Sequence, residues 1–287
     1  MSEALGWNLG STGARQEESV GFGNPLLQRW ARGTASLGAW MTTADPQVAE
    51  FLASCGFDEV CVDQQHGLGD PASLAAAFRA IELQGAVPTT RVPSNDPALI
   101  GKSLDLGALG VIVPMVETTE QAARAVDAVR YAPGGHRSAG PLRGPIMRAA
   151  GAQADFEQIA VIVMVETAEG LRNVDEIAAT AGVDAIYVGP ADLAVSLGLS
   201  WDPDDWRESQ ARIHETAIDQ VRESCQRHNV IPGIHCANGT IARRYLEQGF
   251  RMLTVASDLA LLQLGGRAEL AAARGLLDRP AVEAAAV

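Results

Sequence analysis

Along this chain, short apolar runs alternate with stretches in which apolar residues recur every three or four positions. The first pattern marks buried strands and the second marks helices with one buried face. The strand-like runs are SLGAWM (36–41), EVCVD (59–63), VPTTRV (87–92), GVIVPMV (110–116), AVIVMVE (160–166), AIYVGP (185–190), VIPGIH (230–235) and RMLTVA (251–256). Three of the intervening segments, DPQVAEFLASCG, DPASLAAAFRAIELQG and DPALIGKSLDLG, open on Asp-Pro and close on glycine. The aspartate can cap the helix, proline suits the first helical position, and glycine permits the left-handed exit. Near-continuous apolar strands alternating with helices predict a parallel sheet covered by those helices. Eight such units predict closure into a (β/α)8 TIM barrel. The alternative is an open doubly wound sheet, but that fold places a glycine-rich phosphate loop after its first strand. GAWMTTADP is not such a loop.

The ends of the chain differ from this rhythm. The first twenty residues lack periodicity, and NPLLQRWARG then reads as a short amphipathic helix stopped by glycine. The expected organisation is an N-terminal arm and short helix over 1–33, followed by a barrel with a helical extension over 34–287. Near the C-terminus, LALLQLGGRAELAAARGLL carries an apolar face that would be costly to leave in water, so a homo-oligomer is expected.

Composition narrows the function class. At 287 residues and 47% hydrophobic content, the chain has ample material for a large core. The formal net charge is −13 and no run of Lys or Arg stands out, which argues against a nucleic-acid partner. The four cysteines form no CxxC pair, as expected for free thiols in a reducing cytoplasm. The N-terminus has no basic segment leading into an apolar one, and no apolar run reaches membrane-spanning length. A cytoplasmic enzyme with no membrane partner fits these features.

In a barrel of this kind the active site lies at the C-terminal strand ends. Those ends are polar here: Asp63 and His66 after the second strand, Arg91 on the third, Glu117 after the fourth, and Glu166 on the fifth. Asp192 follows the sixth, His235 ends the seventh, and Ser257 and Asp258 follow the eighth. Carboxylates from neighbouring strands, Glu166 and Asp192, suit a hard divalent cation that keeps positions open for water and substrate. The competing reading makes them helix caps. His66 has two readings as well, an acid–base group or a structural histidine. A buried guanidinium at Arg91 needs an anion, which a substrate carboxylate or a developing enolate would supply. Arg137, Arg143 and Arg148 in YAPGGHRSAGPLRGPIMR suit either a second substrate carboxylate or inter-subunit ion pairs.

The segments VDQQHG, TRVP, GVIVPMVETTEQA, VMVETAEG and YVGPADLAVSLG, in this order from about Gly38 to Asp258, resemble the HpcH/HpaI family of class II pyruvate aldolases. The resemblance implies Glu166 and Asp192 as ligands of Mg²⁺, Mn²⁺ or Co²⁺, and Arg91 as the residue that binds the keto oxygen and steadies the enolate. It implies an acid–base relay of His66 with Asp105, and a cradle for the pyruvate carboxylate from the backbone of Gly189, Ala191 and Asp192. Met164 stands in the substrate site where many members have Gln, and Gln65 precedes the histidine where many have Glu. The implied chemistry is aldol cleavage or formation of 4-hydroxy-2-oxoacids from a 2-oxoacid and an aldehyde. The same enolate could alternatively serve oxaloacetate decarboxylation or a citrate-forming condensation, to which the changes at Gln65 and Met164 lend some weight. The resemblance further implies an exchanged last helix and a hexamer built as a trimer of dimers.

Overall fold

The computed structural model of the chain describes residues 23–140, 158–200 and 202–274. The N-terminal arm, Arg143, Arg148 and the last residues of the C-terminal extension lie outside the described residues. Eight strands form a closed parallel barrel in sequence order: β1 (Ser36–Met41), β2 (Glu59–Asp63), β3 (Val87–Arg91), β4 (Gly110–Val113), β5 (Ala160–Val165), β6 (Ala185–Val188), β7 (Ile231–His235) and β8 (Met252–Ser257). All eight predicted strands are present. Boundaries differ mainly where proline or glycine intervenes: β4 stops before Pro114 and β6 before the Gly189–Pro190 step.

The three Asp-Pro segments form α2 (Pro46–Ser54), α3 (Pro71–Leu83) and α4 (Pro97–Leu106), preceded in the chain by α1 (Pro25–Ala31). Asp45, Asp70 and Asp96 each accept from two backbone N–H groups of the first turn, which satisfies donors that have no intrahelical acceptor. The remaining described helices are α5 (Thr119–Val129), α6 (Ala168–Arg172), α7 (Val174–Ala178), α8 (Pro190–Ser196), α9 (Glu208–His228), α10 (Gly239–Gln248) and α11 (Asp258–Ala273).

Side-chain alternation along each strand divides the core in two. Val60, Val62, Val111, Val113, Val161, Val163 and Ile186 face outward into a large cluster with helix residues such as Leu52, Phe78, Ile81 and Ile100. Trp40, Cys61, Val87, Ile112, Ile162, Met164, Tyr187 and Met252 face inward and fill the barrel. Helix α1 belongs to this inner core, because Leu26 and Trp30 pack into it. Asn24, which caps α1, also donates through Nδ2 to the carbonyls of Leu109 (2.6 Å) and Gln158 (2.8 Å). The short helix therefore closes the N-terminal end of the barrel.

At the other end, Asp258 ties β8 to the loop after β1. Its carboxylate accepts from the backbone N–H and hydroxyl of both Thr42 and Thr43, at 2.8–3.2 Å. Asp258 also begins α11 and is buried, whereas Leu262 and Leu264 of the same helix are 72% and 65% exposed. The predicted apolar face is therefore exposed among the described residues.

The lower barrel holds a buried acid. Glu59 is 2% exposed and accepts from Ser36 Oγ at 3.1 Å, which in turn accepts from Trp30 Nε1 at 3.2 Å. Glu59 Oε2 has no partner. Burial pushes this carboxyl up from 4.5 to about 7, against the smaller pull of the Ser36 hydroxyl. The folded protein therefore binds a proton at Glu59 that the unfolded chain releases near 4.5. Stability from this group is fully present below that value and is lost as pH rises toward 7. A displacement of this size corresponds to about 3 kcal/mol. Glu59→Gln is expected to flatten this part of the urea-unfolding profile between pH 4.5 and 7.5 and to exceed wild type in stability at the upper end. An unchanged slope would show that Glu59 does not carry it.

Candidate active site at the barrel mouth

Asp63 and Arg91 end adjacent strands in direct register, and both point into the barrel. Arg91 donates from Nε to Asp63 Oδ1 (2.9 Å) and from Nη2 to Asp63 Oδ2 (2.6 Å), a bidentate pair. Trp40 of β1 lies beside it. The Arg91 guanidinium carbon is 4.9 Å from the indole centroid, and Trp40 Nε1 approaches Asp63 Oδ2 at 3.4 Å. Burial opposes the charge on Asp63, but the Arg91 hydrogen bonds and charge outweigh it and hold the carboxyl below its ordinary value. The anion that Arg91 requires is thus built into the protein, where sequence reasoning assigned it to the substrate. Truncating one member of such a buried pair strands the other, at about 3–5 kcal/mol.

Across the mouth, Glu166 follows β5 and is 2% exposed. Its Oε1 accepts from the Met115 N–H at 2.9 Å, while Oε2 is buried and has no hydrogen-bond partner among the described residues. Met115 adopts φ 56°, a left-handed conformation that a methionine rarely takes, immediately after the Pro114 that ends β4. That turn presents its N–H to the carboxylate, so the strain sits at the site. Burial pushes the Glu166 carboxyl up to about 7, and the nearby Asp192 carboxylate adds to the rise, against the Met115 N–H and Arg91.

Asp192 stands in the first turn of α8, whose N-cap is Gly189. Neither carboxylate is a helix cap, because α6 is capped by Thr167, whose hydroxyl accepts from Gly170 N–H at 3.0 Å. Gly189 is required by space: an added Cβ would lie 2.5 Å from Glu166 Oε2 and 2.7 Å from Met164 Cε. Met164 is buried beneath it, 3% exposed, with a thioether where a donor to a carboxylate would otherwise stand. The first-turn N–H groups of Ala191 and Asp192 lack intrahelical acceptors and face the positive end of the helix dipole. Two acidic groups held together with one oxygen unpartnered form a donor set that suits a hard cation. Among the described residues no cluster of three or more His, Cys, Asp or Glu forms a fuller metal site.

The QQHG segment has divided duties. Gln64 donates from Nε2 to Thr90 Oγ1 (2.9 Å) and Ser103 Oγ (2.8 Å), which clamps the loop to β3 and α4. The half-buried Gln65 donates its N–H to Asp63 Oδ1 at 3.0 Å. Gly67 fits where a Cβ would come within 2.0 Å of the Asp63 carbonyl oxygen. His66 is exposed on this loop, at the mouth.

Asp105 is placed elsewhere. It lies near the C-terminal end of the 10-residue helix α4, which runs about 15 Å away from the mouth. There Arg137 Nη2 donates to its Oδ1 at 3.2 Å. On α4 Asp105 lies beyond Ser103, which Gln64 contacts, and among the described residues its carboxylate pairs with Arg137 and not with His66. Arg137, one of the three loop arginines, is 7% exposed and stacks on Tyr131 with Cζ 4.7 Å from the ring centroid.

The chain matches the HpcH/HpaI aldolase/citrate lyase family model over residues 36–263. It is 39% identical over 254 residues to the hydroxypyruvate/pyruvate aldolase of Rhizorhabdus wittichii, covering 88% of this chain and 100% of that one. It is 34% identical over 249 residues to the 5-keto-4-deoxy-D-glucarate aldolase of Salmonella arizonae, covering 85% and 94% respectively. Among solved structures, an HpcH/HpaI aldolase/citrate lyase family protein from Burkholderia cenocepacia J2315 superposes with a TM-score of 0.79 at 36% identity, covering 88% of this chain and 99% of that one. With its barrel closed and its acidic residues gathered at the mouth, the chain belongs to the HpcH/HpaI aldolase/citrate lyase family and is an aldolase, a carbon–carbon lyase.

Proposed function

We propose that this chain is a divalent-metal-dependent aldolase that forms and cleaves 4-hydroxy-2-oxoacids through the enolate of a 2-oxoacid. The observation that carries the reading is the buried Glu166 with its unpartnered Oε2 beside Asp192, facing the Arg91 side of the mouth. Glu166 and Asp192 would hold Mg²⁺, Mn²⁺ or Co²⁺, and such an ion would polarise the oxo group of the bound substrate.

The chain's own residues supply the remaining work. The N–H groups at the start of α8 bind the substrate carboxylate. Arg91, fixed by Asp63 and Trp40, offers its remaining N–H groups to the oxo oxygen, where negative charge grows as the enolate forms. A donor held in place before the reaction needs no reorganisation at the moment of charge transfer. In cleavage, a proton leaves the C4 hydroxyl and the C3–C4 bond breaks. Its electrons enter the enolate at C2–C3, and the aldehyde departs. His66 at the mouth is the acid–base group of this step. A part for Asp105 at the mouth would come from a second copy of the chain, since within its own chain its carboxylate pairs with Arg137.

Homo-oligomerisation is part of the reading, supported by α11, whose Leu259, Leu261, Leu262, Leu264 and Leu270 are all exposed. Among the described residues no helix is long and apolar enough to cross a membrane.

Calorimetric titration with Mg²⁺ or Mn²⁺ is expected to give stoichiometric binding that Glu166→Ala and Asp192→Ala both abolish. Retained binding in either variant would remove that residue from the ligand set. Gly189→Ala is expected to lose binding as well, because its methyl group displaces Glu166.

Proton exchange at C3 of pyruvate in D₂O, followed by NMR, is expected with the ion and not with EDTA. Arg91→Ala and Asp63→Asn should each lower the exchange rate by about 10²–10³, the scale of one lost preorganised donor. Wild-type rates in both variants would refute the role of the pair. His66→Ala is expected to reduce aldol cleavage more than oxaloacetate decarboxylation, which reaches the enolate without a base. Equal losses would exclude the acid–base role.

A further inference from the structure

One polar group inside the mouth has no part in the chemistry described above. His235 is the last residue of β7. Gly233, two residues before it, faces the interior, since a Cβ there would lie 2.8 Å from Tyr187 Cδ2. Strand alternation therefore turns His235 inward as well. Its imidazole meets the Trp40 ring edge-on, with centroids 5.1 Å apart at 88°. Its Nδ1 lies 3.4 Å from Tyr187 Oη, whose hydroxyl is itself hydrogen-bonded to that of Thr254. Nε2 has no protein partner among the described residues. The side chain is only partly exposed, and its other sides are covered by Trp40 and Tyr187. The open edge therefore faces the mouth.

The surroundings of this ring disfavour its charged form. Burial drives its pKa down to about 4, and the Arg91 guanidinium pushes in the same direction, against the weaker attraction of Asp63. The imidazole is neutral at physiological pH and carries one ring proton. Whichever ring nitrogen carries that proton, Nε2 is a polar atom open to the mouth that can pair with a hydroxyl, which both donates and accepts.

The order of strands around the closed barrel fixes what this atom meets. Asp63, Arg91, Glu166 and Gly189 occupy the arc from β2 to the end of β6. On the reading given above, the carboxylate and oxo group of the 2-oxoacid bind to that arc. Its C3 then turns toward the arc that remains, β7, β8 and β1, which presents His235 and Trp40. A methyl group placed there would cover Nε2 without pairing it, whereas a hydroxyl would form a hydrogen bond with it. A site built to hydrogen-bond a substrate hydroxyl discriminates against the analogue that lacks it, because its own polar atom is left unpaired.

We propose that His235 is a specificity-determining residue whose Nε2 hydrogen-bonds a hydroxyl on C3 of the 2-oxoacid, so that the enzyme prefers 3-hydroxy-2-oxoacids of the hydroxypyruvate class over pyruvate as enolate donors. This proposal rests on the enolate reading of the same site.

The test compares C3-proton exchange of hydroxypyruvate and of pyruvate in D₂O by the full-length, Mg²⁺- or Mn²⁺-supplemented enzyme. Calorimetric affinities for the two acids are measured beside it. Wild type is expected to favour hydroxypyruvate in kcat/KM by about tenfold or more, the worth of one satisfied hydrogen bond to a buried polar atom. His235→Leu should remove that preference by lowering the hydroxypyruvate values while leaving those for pyruvate unchanged or higher. His235→Gln, which keeps an N–H donor, should restore part of it. A donor ratio unaltered in His235→Leu would overturn the proposal, and so would equal losses with both acids in both variants, which mark a packing role. Absence of exchange with either acid in the wild type would instead overturn the enolate reading, and this proposal with it.

Discussion

Closure of the parallel sheet is the constraint on which the rest depends. Once eight strands pair in a ring, every second residue must point into a space that solvent reaches only from the ends. Apolar side chains are stable in the middle of that space. A polar or charged one is stable only near an opening or with a partner of its own. Asp63 and Arg91 meet the second condition by pairing with each other in register on β2 and β3. Glu166 meets it by half, with the Met115 N–H on one oxygen and nothing on the other. The unmet half is where the chemistry is expected.

The same constraint separates structural from reactive polar groups. Arg91 is neutralised by Asp63 yet keeps N–H groups to spare, so a permanent charge can stand in a buried site without an external ion. Trp40 contributes by shape and by its ring face, covering the guanidinium on one side and meeting Tyr187 and His235 on others. The QQHG loop is anchored by Gln64, Gln65 and Gly67, which leaves His66 as its exposed tip. Neighbouring residues in one short motif thus serve opposite ends, one set holding the frame and one side chain left free.

Much of this was legible from the chain. Strand lengths, Asp-Pro helix starts and glycine stops are local signals, and the barrel follows from their number and order. Glu166, Asp192, Arg91 and His66 are candidates in the sequence because strand ends must converge in a barrel. The partner of Arg91 was not found, since nothing local distinguishes an aspartate that pairs across strands from one that meets a substrate. Only the register of Asp63 against Arg91 decides it. Asp105 came from the resemblance as the partner of His66, and the partner that the structure gives it, Arg137, lies in a loop whose approach to α4 no local pattern announces. The strained turn at Met115 gave no signal beyond the preceding proline. The sequence marks His235 only as the end of a strand, whereas its inward turn needs the neighbours of β7 and its lowered pKa needs the burial and the nearby Arg91 to be known.

Helix α1 has a consequence for the order of events. Leu26 and Trp30 stopper one end of the barrel, so the reaction chamber is a vessel with a single door. Whatever binds against Glu166, Arg91 and Gly189 sits at the back, and whatever binds beside His66 stands in the doorway. On the proposed reading, loading is then sequential, oxoacid before aldehyde, and unloading reverses it. In the cleavage direction the aldehyde leaves first, and the oxoacid is the last molecule out.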